Sequence, residues 1–111
     1  MMQISTRQLD KITILDISGD IDLSTSPELR KALLREVKDR RMPRVVVNLQ
    51  AVKYVDSSGV ASLVEGLKAS RDVGSRFVLC GLNTKVKDVL RLSRLSTIFE
   101  VVDSEEQALA L

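Results

Sequence analysis

Asp56-Ser57-Ser58-Gly59 is the stretch whose residue types and spacing could do chemistry. Two hydroxyls stand beside a carboxylate, just ahead of Val60, Leu63, Val64 and Leu67 at helical spacing. One reading is structural. Asp and Ser side chains accept bonds from the unpaired N–H groups of a helix start, and Gly59 allows a tight entry. The other reading builds on the same geometry. One hydroxyl caps while the other points to solvent, where it could carry a phosphate. Helical N–H groups and the positive end of the dipole would favour that charge. Asp56 would oppose it by like-charge repulsion, so the loop would change partners instead of shape.

Gly19-Asp20-Ile21-Asp22 holds a second acidic pair. A phosphatase of the haloacid-dehalogenase kind also uses Asp-x-Asp after a strand. It needs further acids for magnesium, a lysine and a longer chain, and Gly19 here interrupts the strand. A receiver domain would put its phosphorylated aspartate at the end of the third strand, where this chain has Val47-Asn48-Leu49. It also lacks the early acidic pair and the late lysine-proline loop. Two readings of Asp20 and Asp22 remain: a solvated loop in which Asp22 caps the next turn, or an acidic rim beside Ser57 that contacts a partner.

The absences narrow the function further. The chain has no histidine. That removes Ser-His-Asp and Cys-His nucleophile activation and every His-containing metal site. Its one cysteine, Cys80, cannot form an intrachain disulfide or a Cys-rich zinc site. It follows three apolar residues and reads as an inert buried thiol. No metal, cofactor or catalytic residue is expected. Lys and Arg total 17 against 15 acids, a net charge of +2 that is too weak a bias for direct nucleic-acid binding. Tyr54, Phe77 and Phe99 are too few for a base-stacking platform. Lys87, Arg91 and Arg94, and separately Lys38, Arg40, Arg41 and Arg44, read as solvated basic faces. The first ten residues lack the apolar stretch of a signal peptide, and no apolar run approaches the ~18 residues of a membrane span. Together with the lone cysteine, this predicts a cytoplasmic protein.

The elements that must position these residues follow from periodicity. A chain of 111 residues, 44% hydrophobic and 29% charged, predicts a single domain over 1–111. Residues 3–8 and 11–18 read as strands joined at Leu9-Asp10-Lys11, with Gly19 ending the second. A helix starts near Ser24, with Thr25 and Glu28 at capping-box spacing and Leu29, Ala32, Leu33 and Val37 on one face. Val45 to Leu49 reads as a strand covered on both faces. Gln50 to Val55 reads as a linker to the Asp56 loop. The helix after it stops at Gly74. Phe77 to Cys80 is a strand closed by Gly81. Asn83 or Thr84 caps a helix with Val86, Val89 and Leu90 inward. Phe99 to Val102 is a last strand, and Asp103 or Ser104 caps a short helix through Leu109.

The order ββαβαβαβα predicts an α/β fold. Its mixed sheet combines an N-terminal hairpin with parallel strands, flanked by about four helices. Val46, Leu63, Val64, Leu79 and Val89 are its predicted core. Loops that follow parallel strands gather at one edge, so the two acidic loops should meet there.

With these elements in place, the chain resembles the STAS domain family, the anti-sigma factor antagonists and their relatives, over nearly its whole length. Gly19-Asp20-Ile21-Asp22 is similar to that family's G-[ED]-[LI]-D loop. Val45 to Leu49 followed by Val55-Asp56-Ser57-Ser58-Gly59 resembles its signature segment. The stretch from Val86 through Leu90 and Leu95 to Phe99 resembles its usual ending. The resemblance implies a partner switch. In the antagonists, the serine directly after the aspartate, here Ser57, is phosphorylated by an anti-sigma factor that is also a serine kinase. The unmodified form captures that factor and frees a sigma factor, and a PP2C-type phosphatase resets it. The implied partner-binding residues are Asp20, Asp22, Asp56, Ser58 and Gly59. The implied protein is a substrate and binder instead of an enzyme, a monomer or weak dimer. One departure stands out. The antagonists often continue D-S-S-G-L-G, whereas here Val60-Ala61-Ser62 follows Gly59. The run from Val60 to Glu65 also resembles STAS adaptor subunits of lipid-trafficking ABC transporters, which is the alternative reading.

Overall fold

Two residues, Asp10 and Lys11, turn the first strand back on the second, with Asp10 in the left-handed region at φ 55°. The computed structural model describes residues 1–111. Strand β1 (Gln3–Leu9) pairs antiparallel with β2 (Ile12–Ile21), Leu9 opposite Ile12 and Gln3 opposite Ser18. The second strand runs past Gly19, where the sequence predicts its end. Gly19, Asp20 and Ile21 pair with Val52, Tyr54 and Val55, with register shifts after Asp16 and after Gly19. Gly19 therefore serves an irregularity within the strand. Its φ is 89°, and a Cβ there would strike the Met1 carbonyl.

Strand β3 is longer than its apolar run. It spans Arg44–Val55 and takes in the six residues expected as a linker. Helix α1 (Ser26–Leu34) continues into a wide i→i+5 turn over Arg35–Asp39, which buries Glu36 and Val37 side by side. Arg40 Nη1 donates to Glu36 Oε1 at 2.7 Å, so the buried carboxylate is paired. The Thr25–Glu28 capping box does not form. Thr25 Oγ1 instead donates to the Asp20 carbonyl at 3.0 Å and accepts from the Asp22 N–H at 2.9 Å.

The remaining elements are α2 (Ser57–Val73), β4 (Arg76–Cys80), α3 (Thr84–Leu92), β5 (Glu100–Val102) and α4 (Glu105–Leu109). Gly74 ends α2 at φ 74°. Asn83 caps α3, and Ser104 with Gln107 forms a capping box on α4. The sheet order is β1-β2-β3-β4-β5, with every pair after the first parallel. This is the mixed α/β sheet that the element order predicts.

The two faces of the sheet are unequal. A core of 23 buried residues lies under α1, α2 and α3, whereas Ile14, Val46, Val78, Cys80 and Ala108 form a small cluster under α4. Val46, Leu63 and Leu79 are fully buried, but Val64 and Val89 are only half-buried at the margins of their stripes. Burial pushes the Cys80 thiol up to about 11, so it stays neutral. The basic runs are partly fastened instead of freely solvated. Arg44 Nη1 donates to the Ala108 and Leu109 carbonyls at 3.2 and 3.0 Å, tying down α4. Arg94 lies beyond α3 at φ 59°, so the helical basic stripe ends at Arg91. No helix is long and apolar enough to cross a membrane.

Candidate functional site

The parallel ladder between β2 and β3 closes with Ile21 opposite Val55. One residue on, the Asp56 N–H donates to the Ile21 carbonyl at 3.0 Å. The Asp22–Thr25 loop and the Asp56–Gly59 segment therefore leave the sheet from the same end, as the sequence predicts. Gly59 is needed where they touch. A Cβ there would lie 2.7 Å from Ile21 Cγ2 and 2.8 Å from Val55 Cγ1. Gly59 is thus buried where the two loops pack.

Asp56 is the N-cap of α2, so the cap is the carboxylate and not a serine hydroxyl. Its Oδ1 accepts from the Ser58 hydroxyl at 2.7 Å and from the Gly59 N–H at 3.0 Å. The Ser58 hydroxyl is the largest influence holding the Asp56 carboxyl below the usual carboxylate range; burial opposes it, and backbone N–H groups including that of Leu23 add to it. Asp56 links the two loops through its own N–H, which bonds the Ile21 carbonyl just ahead of Asp22. Ser57 occupies the first turn of α2 and is exposed. Its hydroxyl makes no hydrogen bond within the chain, unlike that of Ser58.

Asp22 caps the turn that follows it. Its Oδ1 accepts from the Ser24 N–H at 3.0 Å, the Thr25 N–H at 3.2 Å and the Ser24 hydroxyl at 2.7 Å. These bonds, led by the Ser24 hydroxyl, hold its carboxyl low. The Asp20 side chain is exposed and unpaired, so of the two it is the charge offered to solvent.

Leu23, 77% exposed, and Tyr54, 49% exposed, border the same end of the sheet. Sequence reasoning missed both. The available signal was a large apolar residue directly after the Asp22 turn and an aromatic one just before the Asp56 cap. Along α2, Ser57, Val60, Ala61 and Val64 line a shallow groove with Glu65, Lys68, Ser93 and Leu95. The groove gives the exposed serine an apolar neighbour surface.

A serine acts as a nucleophile only when a neighbouring base takes its proton. The carboxylate beside Ser57 is engaged by Ser58 and Gly59 instead. The Ser57 hydroxyl is left exposed, with no side chain of this protein hydrogen-bonded to it.

Fold and site together define a small α/β domain that presents a serine at a loop-to-helix junction. The chain belongs to the STAS domain family, whose sequence profile matches residues 3–108. It is 32% identical over 105 residues to the anti-sigma-B factor antagonist of Listeria monocytogenes, covering 94% of this chain and 90% of that protein. It is 27% identical over 108 residues to the anti-sigma F factor antagonist of Paenibacillus polymyxa, covering 97% and 92%. Its fold matches the crystal structure of an anti-sigma factor antagonist from Mycobacterium paratuberculosis with a TM-score of 0.90 at 23% identity, covering 99% and 92%.

Proposed function

We propose that this protein is an anti-sigma factor antagonist whose Ser57 is the switch. In its unmodified form it captures an anti-sigma factor with serine kinase activity and so releases a sigma factor. Phosphorylation of Ser57 ends the capture, and a PP2C-type phosphatase restores it. The observation that carries this reading is the unequal state of the two serines: the Ser57 hydroxyl is exposed and free, while the Ser58 hydroxyl is bound to Asp56. The match to antagonists over nearly the whole chain favours it over the transporter adaptor suggested by the run from Val60 to Glu65.

A phosphate acts here by charge and bulk. It adds about −1.5 to −2 charges near neutral pH, enough to bring the formal net charge of +2 to roughly zero at one loop. The N-terminus of α2 tolerates a negative charge, so the fold persists. The partner, however, would have to bury a dianion beside the Asp56 carboxylate, at a cost of several kcal/mol when unpaired. A loss of about 3 kcal/mol weakens binding more than a hundredfold. Asp20, Leu23, Tyr54 and the groove along α2 supply the rest of the proposed partner surface.

Calorimetric titration against the anti-sigma factor encoded in the same genome tests this. Ser57→Asp should lose at least a hundredfold in affinity while melting like the native protein. Ser57→Ala should bind but accept no phosphate. Undiminished binding by both Ser57→Asp and the phosphorylated protein would refute the switch.

A further inference from the structure

The strand order leaves two sheet edges of unequal length, β5 with three residues and β1 with seven. Because a two-residue turn joins β1 to β2, Leu9 and Ile12 flank it as a hydrogen-bonded pair, and the ladder alternates from there. Leu9, Arg7, Ser5 and Gln3 direct their N–H and C=O groups to β2. Ile4, Thr6 and Gln8 direct theirs away from the sheet. These outward donors and acceptors lie on a strand with no proline and no register shift against β2. Such an edge is a template for another strand. Its one charged residue does not guard it. Arg7 is turned onto the α4 face, where Asp16 accepts from it at 2.6 and 2.8 Å and Glu105 completes the pairing.

We propose that β1 is a self-association surface on which a second copy of this chain pairs antiparallel about a two-fold axis at Thr6. This register sets Thr6 opposite its own copy, Ile4 opposite Gln8 and Ser5 opposite Arg7. It forms about six backbone hydrogen bonds from the outward groups and sets no like charges directly opposite; the two Arg7 side chains become diagonal neighbours, each held by its own Asp16 and Glu105. The contact is isologous and uses up the long edge of both copies, so assembly stops at two. One seven-residue strand is a small interface, at or below ~1,200 Å² in total, so the dimer is weak and depends on concentration. Helix α2 packs on β3, β4 and α1, away from β1, so both Ser57 loops stay accessible in the pair.

Sedimentation velocity of the full chain from micromolar to millimolar concentration tests this. The native protein should shift from monomer to dimer. Thr6→Pro removes an outward N–H that β2 does not use, and should abolish the shift. Thr6→Lys and Thr6→Glu each set like charges across the axis, so each should be monomeric alone. Mixed, they should restore the dimer, because lysine then faces glutamate. The charge-swap pair decides the matter if Thr6→Pro fails to fold. A native protein that stays monomeric throughout, or a dimer that survives Thr6→Lys and Thr6→Glu, overturns the proposal.

Discussion

At Asp56 one carboxylate oxygen serves two donors, the Ser58 hydroxyl and the Gly59 N–H, and so holds the start of α2. Asp56→Ala should cost about 0.5–2 kcal/mol, the usual range for a lost helix cap, read by urea denaturation. The sign of the pH dependence follows from the lowered carboxyl of Asp56. A carboxylate held below its unfolded value stabilises the fold above that value, about pH 4, and loses the contribution as pH falls through the lower, folded value. Asp56→Asn keeps an acceptor but cannot titrate. Its stability should fall less steeply below pH 4 than that of the native protein, as followed by acid titration of the melting temperature. Asp22 has the same sign through its bonds to Ser24 and Thr25. Substituting it should therefore lower the melting temperature as well as any binding, and binding should be compared at a temperature where both forms are folded. The residue types at these positions were legible in the sequence. Which serine was free was not, because Asp-Ser-Ser-Gly allows a cap by either hydroxyl and only the backbone placement chooses the carboxylate.

Between elements, strand β3 shows how coverage governs what a sequence reveals. Its first half, Arg44 to Asn48, lies between β2 and β4 and reads as a continuous apolar run. The second half extends past β4 and pairs only with β2. After Leu49, only Val52 and Val55 are buried there, among exposed Gln50, Ala51, Lys53 and Tyr54, and the pattern passes for a linker. That extension carries the chain to the Asp56 cap. The wide turn at Arg35–Asp39 was equally hidden, since one extra residue in a helical turn leaves no compositional mark. Helix α2 was plain because its stripe is regular. Leu63→Ala, at a fully buried position of that stripe, should cost about 2–5 kcal/mol in denaturant titration. Gly59→Ala should also destabilise. Its Cβ meets two β-branched side chains and, at 3.1 Å, the Ile21 carbonyl oxygen. A variant as stable as the native protein would show that the two loops are not pressed together at that point.

Across the whole molecule, three helices cover one sheet face and a single short helix the other, and the serine loop stands at the end of the sheet beneath α2. The site is thus carried on a rigid layer, so a modification there changes the surface more than the fold. The proposed switch requires Ser57 to be the modified residue. The most direct measurement is tandem mass spectrometry of the protein isolated from its native cells, with Ser57→Ala and Ser58→Ala isolated in parallel. Phosphate is expected on Ser57, present in Ser58→Ala and absent in Ser57→Ala. Phosphate retained in Ser57→Ala and lost in Ser58→Ala, or no phosphate on either serine in the presence of the cognate kinase, would contradict it.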